Sequence, residues 1–385
     1  MAAIAHVGDF PHLVHPVPAP VQLVAVPDTD IESHLAEAEE LARGADREAA
    51  LDLLDELWPA ARHVPALALR HRLATAWIEM YRGDLDLAGE LLTHAEAIVD
   101  SPLFDAVDRA QVLYRRGCLT LQQSHIAEAT MLFTRALETN TRSGRQSSTL
   151  AADALNWRSR CHQLRRDWDA AARDAEASLE LAEDDHTRAN ALFQISLVAE
   201  RQRQWLLARF YGEQALELYR AEGDRLSSAR ILNNLGGIEF LLGDVEAAER
   251  HLVEAASEAE AAGSDADVAQ ATSSLAQILL EAGRAGDARV LALHAVEMLE
   301  GRVDFFDELG NAQLVVARAF AVDNEVASAE HWFGIAEATF TSFGGTSQLA
   351  AAWMARGDLA HVDGDLTEAA ALYKRAAEAL QDFHF

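Results

Sequence analysis

Two pairs of residues in this chain are spaced for joint recognition. Arg230 and Asn233 stand three residues apart, and Asn156 and Arg160 four apart, so on a helix each pair shares a face. An asparagine amide offers donors and an acceptor, which is what pairing with a peptide backbone requires. A guanidinium adds forked recognition of carboxylates. Much other chemistry is excluded. Lys374 is the sole lysine and sits in the amphipathic stretch ALYKRAAEAL, whereas a P-loop, a kinase-type nucleotide site or a Schiff-base enzyme needs a placed lysine. There is no GxSxG, HExxH or EF-hand loop. Cys118 and Cys161 form neither a CxxC pair nor a zinc site alone, and they read as buried free thiols. His6, His12 and His15 have no carboxylate or cysteine arranged with them. The chain therefore reads as non-enzymatic, with no cofactor and no metal.

The 385 residues fit two or three globular domains or one extended repeat array. Half of them are hydrophobic, but no apolar run approaches the roughly 18 residues that span a bilayer. The start, MAAIAHVGDFPHLVHPVPAP, lacks a basic n-region and is broken by proline, so no signal peptide is expected. These features read as cytoplasmic. A formal net charge of −30 argues against a phosphate-tracking nucleic-acid surface and against adhesion to anionic lipid. Ordinary solubility accounts for it. Residues 1–29 carry five of the eight prolines and read as an extended or disordered leader, too short for a helix-turn-helix DNA-binding domain. Residues 383–385 read as a tail that closes the last apolar face.

The elements that must carry the Asn/Arg pairs come from a recurring pattern. The segment NNLGGIEFLLGDVEAAERHL (233–252) puts Gly236, Gly237 and Gly243 among large apolar residues, although glycine costs about 1 kcal/mol relative to alanine inside a helix. Its order recurs: a short turn, an alanine about five residues on, an apolar or small residue four later, and a small residue three later. Gly83, Ala88, Leu92 and Ala95 make one copy; Ser124, Ala129, Phe133 and Ala136 make another. The anchoring alanines are 49, 88, 129, 171, 208, 248, 288, 329 and 369, separated by 37–42 residues. Each unit holds two apolar-periodic stretches around a Gly/Asp/Asn turn, which is a helical hairpin. Asp84, Asp244 and Asp365 suit helix N-termini. The glycines then mark close backbone approach, not a phosphate loop.

The spacing from Leu235-Gly236 through Gly243, Ala248, Leu252 and Ala255 resembles the tetratricopeptide repeat (TPR). The period near 40 is similar to the long-helix subclass found in bacterial regulators of the Rap, PlcR and MalT-like groups. The resemblance implies an all-α fold, a right-handed solenoid of about nine hairpins over residues 30–382. It is specific for fold and weak for function. The second and eighth copies lack the Leu-Gly pair, and the first copy, with Gly44, Ala49 and Leu53, is degenerate.

In such an array the first helix of each hairpin lines the concave face. The repeat's ligand-contacting positions, carried onto this chain, fall on Asn156, Arg160 and Gln163 in the fourth copy and on Asn190, Gln194 and Arg201 in the fifth. Later copies contribute Arg230, Asn233, Asn234, Gln270 and Gln277. Flanking copies add Arg70, Trp77, Tyr81, Gln111 and Tyr114 on one side and Asn311 and Arg318 on the other. This stripe is poor in acids in a chain with 62 acids against 32 bases. Trp77 and Tyr81 read equally as a ligand anchor or as core; Trp157 reads as an inter-repeat filler. The function implied is a regulator or adaptor that binds a peptide or partner-protein segment in its groove, with no direct contact to nucleic acid or membrane and with a homo-oligomer possible. The competing expectation is a Rap-like effector that modulates a partner's phosphorylation or DNA binding. Those proteins carry a helical bundle ahead of their repeats, where this chain has its proline-rich leader.

Overall fold

A computed structural model describes residues 28–43, 47–142, 146–301 and 305–381. Among the described residues there are eighteen α-helices and no strand. The first three hairpins are α1 (Asp28–Arg43) with α2 (Arg47–Ala61), α3 (Pro65–Arg82) with α4 (Leu85–Val99), and α5 (Ala106–Gln122) with α6 (Ile126–Thr141). The middle three are α7 (Ser148–Leu164) with α8 (Trp168–Leu181), α9 (Asp185–Arg201) with α10 (Trp205–Glu222), and α11 (Arg225–Leu242) with α12 (Val245–Ala261). The last three are α13 (Asp265–Glu281) with α14 (Ala285–Leu299), α15 (Phe306–Val322) with α16 (Val326–Phe343), and α17 (Thr346–Asp363) with α18 (Leu366–Gln381). These are the nine hairpins that the alanine period implies. The leader up to residue 27, including the three histidines, and the tail from 382 lie outside the described residues.

Each hairpin from the second to the ninth turns through a residue in the left-handed region. Gly83, Ser124, Gly243, Gly283, Asn324 and Gly364 take it where the turn was read, and Arg166 and Arg203 take it in the fourth and fifth hairpins. The next residue is often an aspartate that caps the second helix. Asp84, Asp244 and Asp365 accept from the amides of Leu87 (3.0 Å), Ala247 (2.8 Å) and Glu368 (3.0 Å).

Close approach explains the small residues. Twelve residues before each anchoring alanine from Ala88 on, the first helix carries Ala76, Gly117, Ser159, Ser196, Gly236, Ala276, Ala317 or Gly357. A Cβ on Gly236 would stand 2.6 Å from Leu252 Cγ, one on Gly117 2.7 Å from the Phe133 ring, and one on Gly357 2.7 Å from the Tyr373 ring. Where the second helix is small, at Ala175 and Gly212, the first carries serine. Ser159 and Ser196 donate to the carbonyls of Ala171 (2.8 Å) and Ala208 (2.7 Å). Gly237 answers differently, since a Cβ there would meet nothing within 4 Å. The first copy is shifted by one residue. Ala50, Leu54, Leu57 and Ala61 are the buried series on α2, whereas Ala49 and Leu53 are only half-buried. The anchor is therefore Ala50, because α2 enters the core one residue later than the alanine spacing implied.

Helix-to-helix contacts fix the curvature. Every helix packs on the next, and each odd-numbered helix also touches the next odd-numbered one, from α1·α3 to α15·α17. No two even-numbered helices share a comparable contact. The odd helices thus form the inner wall of a superhelix, and the even helices splay outward. The buried core is continuous from α3 to α7 and again from α9 to α13. Between them α8 contributes only the partly buried Leu179 to a cluster. Its joints are polar. Ser178 donates to the Ala152 carbonyl (2.8 Å), and Asp174 receives both Nε and Nη2 of Arg158 (2.7 and 2.8 Å).

Candidate functional site

The odd helices aim polar side chains into the lumen, and two of them stand out. Asn156 on α7 is 7% exposed, yet neither its amide nitrogen nor its oxygen has a hydrogen-bond partner in the protein. Asn233 on α11 leaves its buried Oδ1 unpartnered as well. Both stand fifteen residues before their anchoring alanine, so they hold the same place on the wall two repeats apart. An unsatisfied buried polar group costs about 1–3 kcal/mol, and folded proteins keep few of them. Such a pair fits a surface completed by something else.

Beside Asn156 lies a cluster of arginines and aromatic rings drawn from α2, α3, α5 and α7. Arg47 stacks 4.2 Å over Tyr81, and Arg115 stacks 4.2 Å over Trp77. Trp77 meets Tyr81 and Trp157 edge-on at 5.1 and 6.2 Å. Arg160 stands 5.5 Å from the Trp157 ring. The Nε atoms of Arg47 and Arg115 are buried and unpartnered. Tyr81 keeps 42% of its surface accessible, but burial raises its pKa, and the charges of Arg47, Arg230 and Arg115 oppose that rise. Burial lowers the pKa of Arg160, and the charge of Arg230 lowers it further. Arg230 belongs to α11, so a charge from the sixth hairpin is felt by residues of the second and fourth.

The remaining candidates divide between wall and ligand-ready positions. Gln163 donates to Gln194 (2.8 Å), which links α7 to α9. Asn190 accepts from the Tyr219 hydroxyl (2.8 Å). Arg230 forks onto Asp267 of α13 through Nε (2.8 Å) and Nη2 (3.2 Å), so two of its donors are engaged within the protein. Burial acts to lower its pKa, and the Asp267 hydrogen bond together with the charges of Asp267, Tyr81 and Asp224 outweighs this and raises it. Asn234 is half-buried, and Gln270 and Gln277 are exposed on α13. Arg201 is exposed at the last turn of α9. Arg70 and Arg318 pair with Glu39 and Glu281. Both cysteines are buried and free, and burial pushes the Cys118 thiol up to about 12.

Arg47 and Arg115 escaped the reading from sequence. Arg115 stands fourteen residues before Ala129, the place that Trp157, Gln194 and Asn234 hold in their repeats, so comparing that one position across copies would have found it. Arg47 opens α2, an outer helix, and no rule for inner helices reaches it. Trp157, read as a filler, lies against the arginine cluster.

This curved wall, with its period and small-residue contacts, defines a class. Residues 227–301, spanning α11 to α14, match the tetratricopeptide repeat family model, and the other hairpins repeat that geometry. The fold is a TPR solenoid. A Rap protein complexed with competence and sporulation factor is similar to this chain over 92% of its length and 99% of that protein's, at 17% identity and a TM-score of 0.67. The apo form of the quorum sensor NprR from B. thuringiensis matches over 91% and 99%, at 14% identity and 0.65. NprR in complex with its cognate peptide NprX matches over 91% and 99%, at 14% identity and 0.58. No curated protein matches the sequence. No helix among the described residues is long and apolar enough to cross a membrane.

Proposed function

We propose that this protein is a non-enzymatic regulator or adaptor of the cytoplasm that holds an extended peptide or partner-protein segment in the lumen of its TPR solenoid. The observation that carries this reading is Asn156, whose buried amide has neither a donor nor an acceptor partner in the protein. An extended backbone presents one N–H and one C=O per residue and satisfies such an amide with both. Asn233, at the equivalent place two repeats on, gives the same chain a second grip. The similarity to NprR bound to its peptide supports the reading at the level of fold. Pull-down from native lysate with the full chain and with the Asn156→Ala/Asn233→Ala variant tests it. The variant should lose the retained partner while its helical content is unchanged; full retention by the variant removes the lumen from consideration.

A second reading is an effector that modulates a partner's phosphorylation or DNA binding. It draws on the match to 99% of the Rap chain's length, which leaves no large part of that chain without a counterpart here. The earlier contrast, a helical bundle there against a leader here, therefore carries less weight. A captured partner whose phosphorylation level or DNA affinity changes on adding this protein would favour the effector.

A further inference from the structure

We infer that Leu206, Leu207 and Phe210 on the outer face of α10, with Arg173, Arg203 and Arg250 around them, form a docking surface for an acid-flanked amphipathic helix of a partner protein. This surface lies on the exterior of the solenoid, and the inference stands apart from the reading of the lumen.

The repeat itself singles out α10. The positions two before and two after the anchoring alanine are exposed on every even-numbered helix from α4 to α18. Packing makes no demand on them, and seven of these eight helices fill at least one with a polar or small residue. Only α10 has a large apolar residue at both, Leu206 and Phe210. These are 65% and 56% exposed, and Leu207 beside them is 41% exposed. Phe210 stands four residues from one leucine and three from the other, so the three side chains share one patch. A soluble surface rarely gathers apolar side chains in this way unless something covers them.

The charges around the patch say what covers it. In the hairpins on either side, the equivalents of Phe210 are Arg173 and Arg250, and those of Leu206 are Asp169 and Glu246. A phosphate backbone or an anionic bilayer would meet these acids as well as the arginines, whereas a helix can place its own carboxylates over the guanidiniums alone. An aromatic and aliphatic centre beside arginine is also the composition of protein interfaces.

The turns point the same way independently. At the left-handed position six hairpins use Gly, Ser or Asn, and only the adjacent fourth and fifth use arginine, Arg166 and Arg203. That backbone is costly for a residue with a Cβ, and such strain persists where function requires the side chain. Arg203 is exposed and precedes Leu206 by three residues. The side chains of Arg173, Arg203 and Arg250 have no ion pair, hydrogen bond or ring contact among the described residues, although acids outnumber bases 62 to 32. Nothing inside the molecule offsets the strain at Arg203.

The probe is a displayed library of 18-residue helices with a fixed leucine stripe and randomised flanks, selected on the full-length protein. Peptides should be recovered that bind the wild type at least tenfold more tightly than Leu206→Ser/Phe210→Ser, with Asp and Glu enriched in their flanks. Asn156→Ala/Asn233→Ala should bind them as the wild type does, because they lie outside the lumen. Arg203→Gly should weaken them roughly 1.5- to fivefold, the range of an exposed ion pair, while melting at or above the wild-type temperature. A merely structural arginine would not lower affinity as its removal raised stability. Recovery of no peptide sensitive to the Leu206/Phe210 pair overturns the surface. Sensitive peptides with basic or unbiased flanks overturn the acidic partner. Duplex DNA or phosphatidylserine vesicles that bind the wild type and lose binding in Leu206→Ser/Phe210→Ser assign the patch to another class of partner and overturn the inference. Each of these results leaves the reading of the lumen intact.

Discussion

Asn156 separates a structural asparagine from a recognition residue. A structural amide loses stability when removed, because its partners are stranded. An unpartnered amide gains when replaced by an apolar side chain of similar size, since the cost of burying it disappears. Asn156→Leu should therefore raise the stability of the unliganded protein by about 1 kcal/mol, read by urea unfolding, while abolishing partner binding. A loss of stability would show that the amide is bonded in solution. Adjacent glycines make a second contrast. Gly237 faces open space, so Gly237→Ala should stabilise by about 0.5–1 kcal/mol through helix propensity alone. In Gly236→Ala the new methyl would stand 2.6 Å from Leu252 Cγ and 3.3 Å from the Ala248 carbonyl. Overpacking of roughly 1–3 kcal/mol then outweighs the propensity gain. Melting temperatures that rank the two alike would contradict the close approach.

At the scale of the element, the hairpins were legible because their determinants are local. The alanine period, the capping aspartates and most of the αL turn residues lie within a few residues of one another and were readable in order. Arg166 and Arg203, which lack the usual Gly or Asn, gave no turn signal. The first hairpin was misread by one residue because its alanines come as a pair, Ala49 and Ala50, and only burial distinguishes them. The lumen cluster was half legible. Asn156 and Arg160 follow from their repeat position, but Arg47 arrives from an outer helix through tertiary curvature, which no local pattern encodes. The intramolecular partners of Arg230 and Gln163 were not legible for a related reason: Asp267 and Gln194 are 37 and 31 residues away in sequence. The turns carry a further test. Arg203 holds a φ of 59°, a conformation costly for a residue with a Cβ. Arg203→Gly should stabilise by roughly 0.5–1 kcal/mol, the gain in the turn being partly offset by a more flexible unfolded chain. Chemical denaturation measures this, and a destabilised variant would mean that the arginine side chain makes a contact worth more than the strain.

For the whole molecule the uneven core matters most. A solenoid's stability is the sum of its units and the interfaces between neighbours, so the weakest interface sets where it first opens. Here that interface surrounds α8, where hydroxyl–carbonyl bonds and the Arg158–Asp174 fork replace large apolar contacts. Amide hydrogen exchange should find α8 among the least protected of the internal helices, ahead of α6 and α10, which bury Phe133 and Tyr219. Uniform protection from α5 to α12 would refute a weak point there.

That polar joint has a mechanical consequence. A superhelix is a spring, and a spring of uneven stiffness takes up its strain where it is softest. Arg160 and Asn156 lie on the near side of α8, and Asn233 lies on the far side. A guest gripping both would act as a strut across the compliant turn and would set the pitch of the coil. The outer helices fan apart as that pitch changes, so a contact made inside the bore would be expressed as altered spacing on the exterior, where another macromolecule could gauge it without touching the guest.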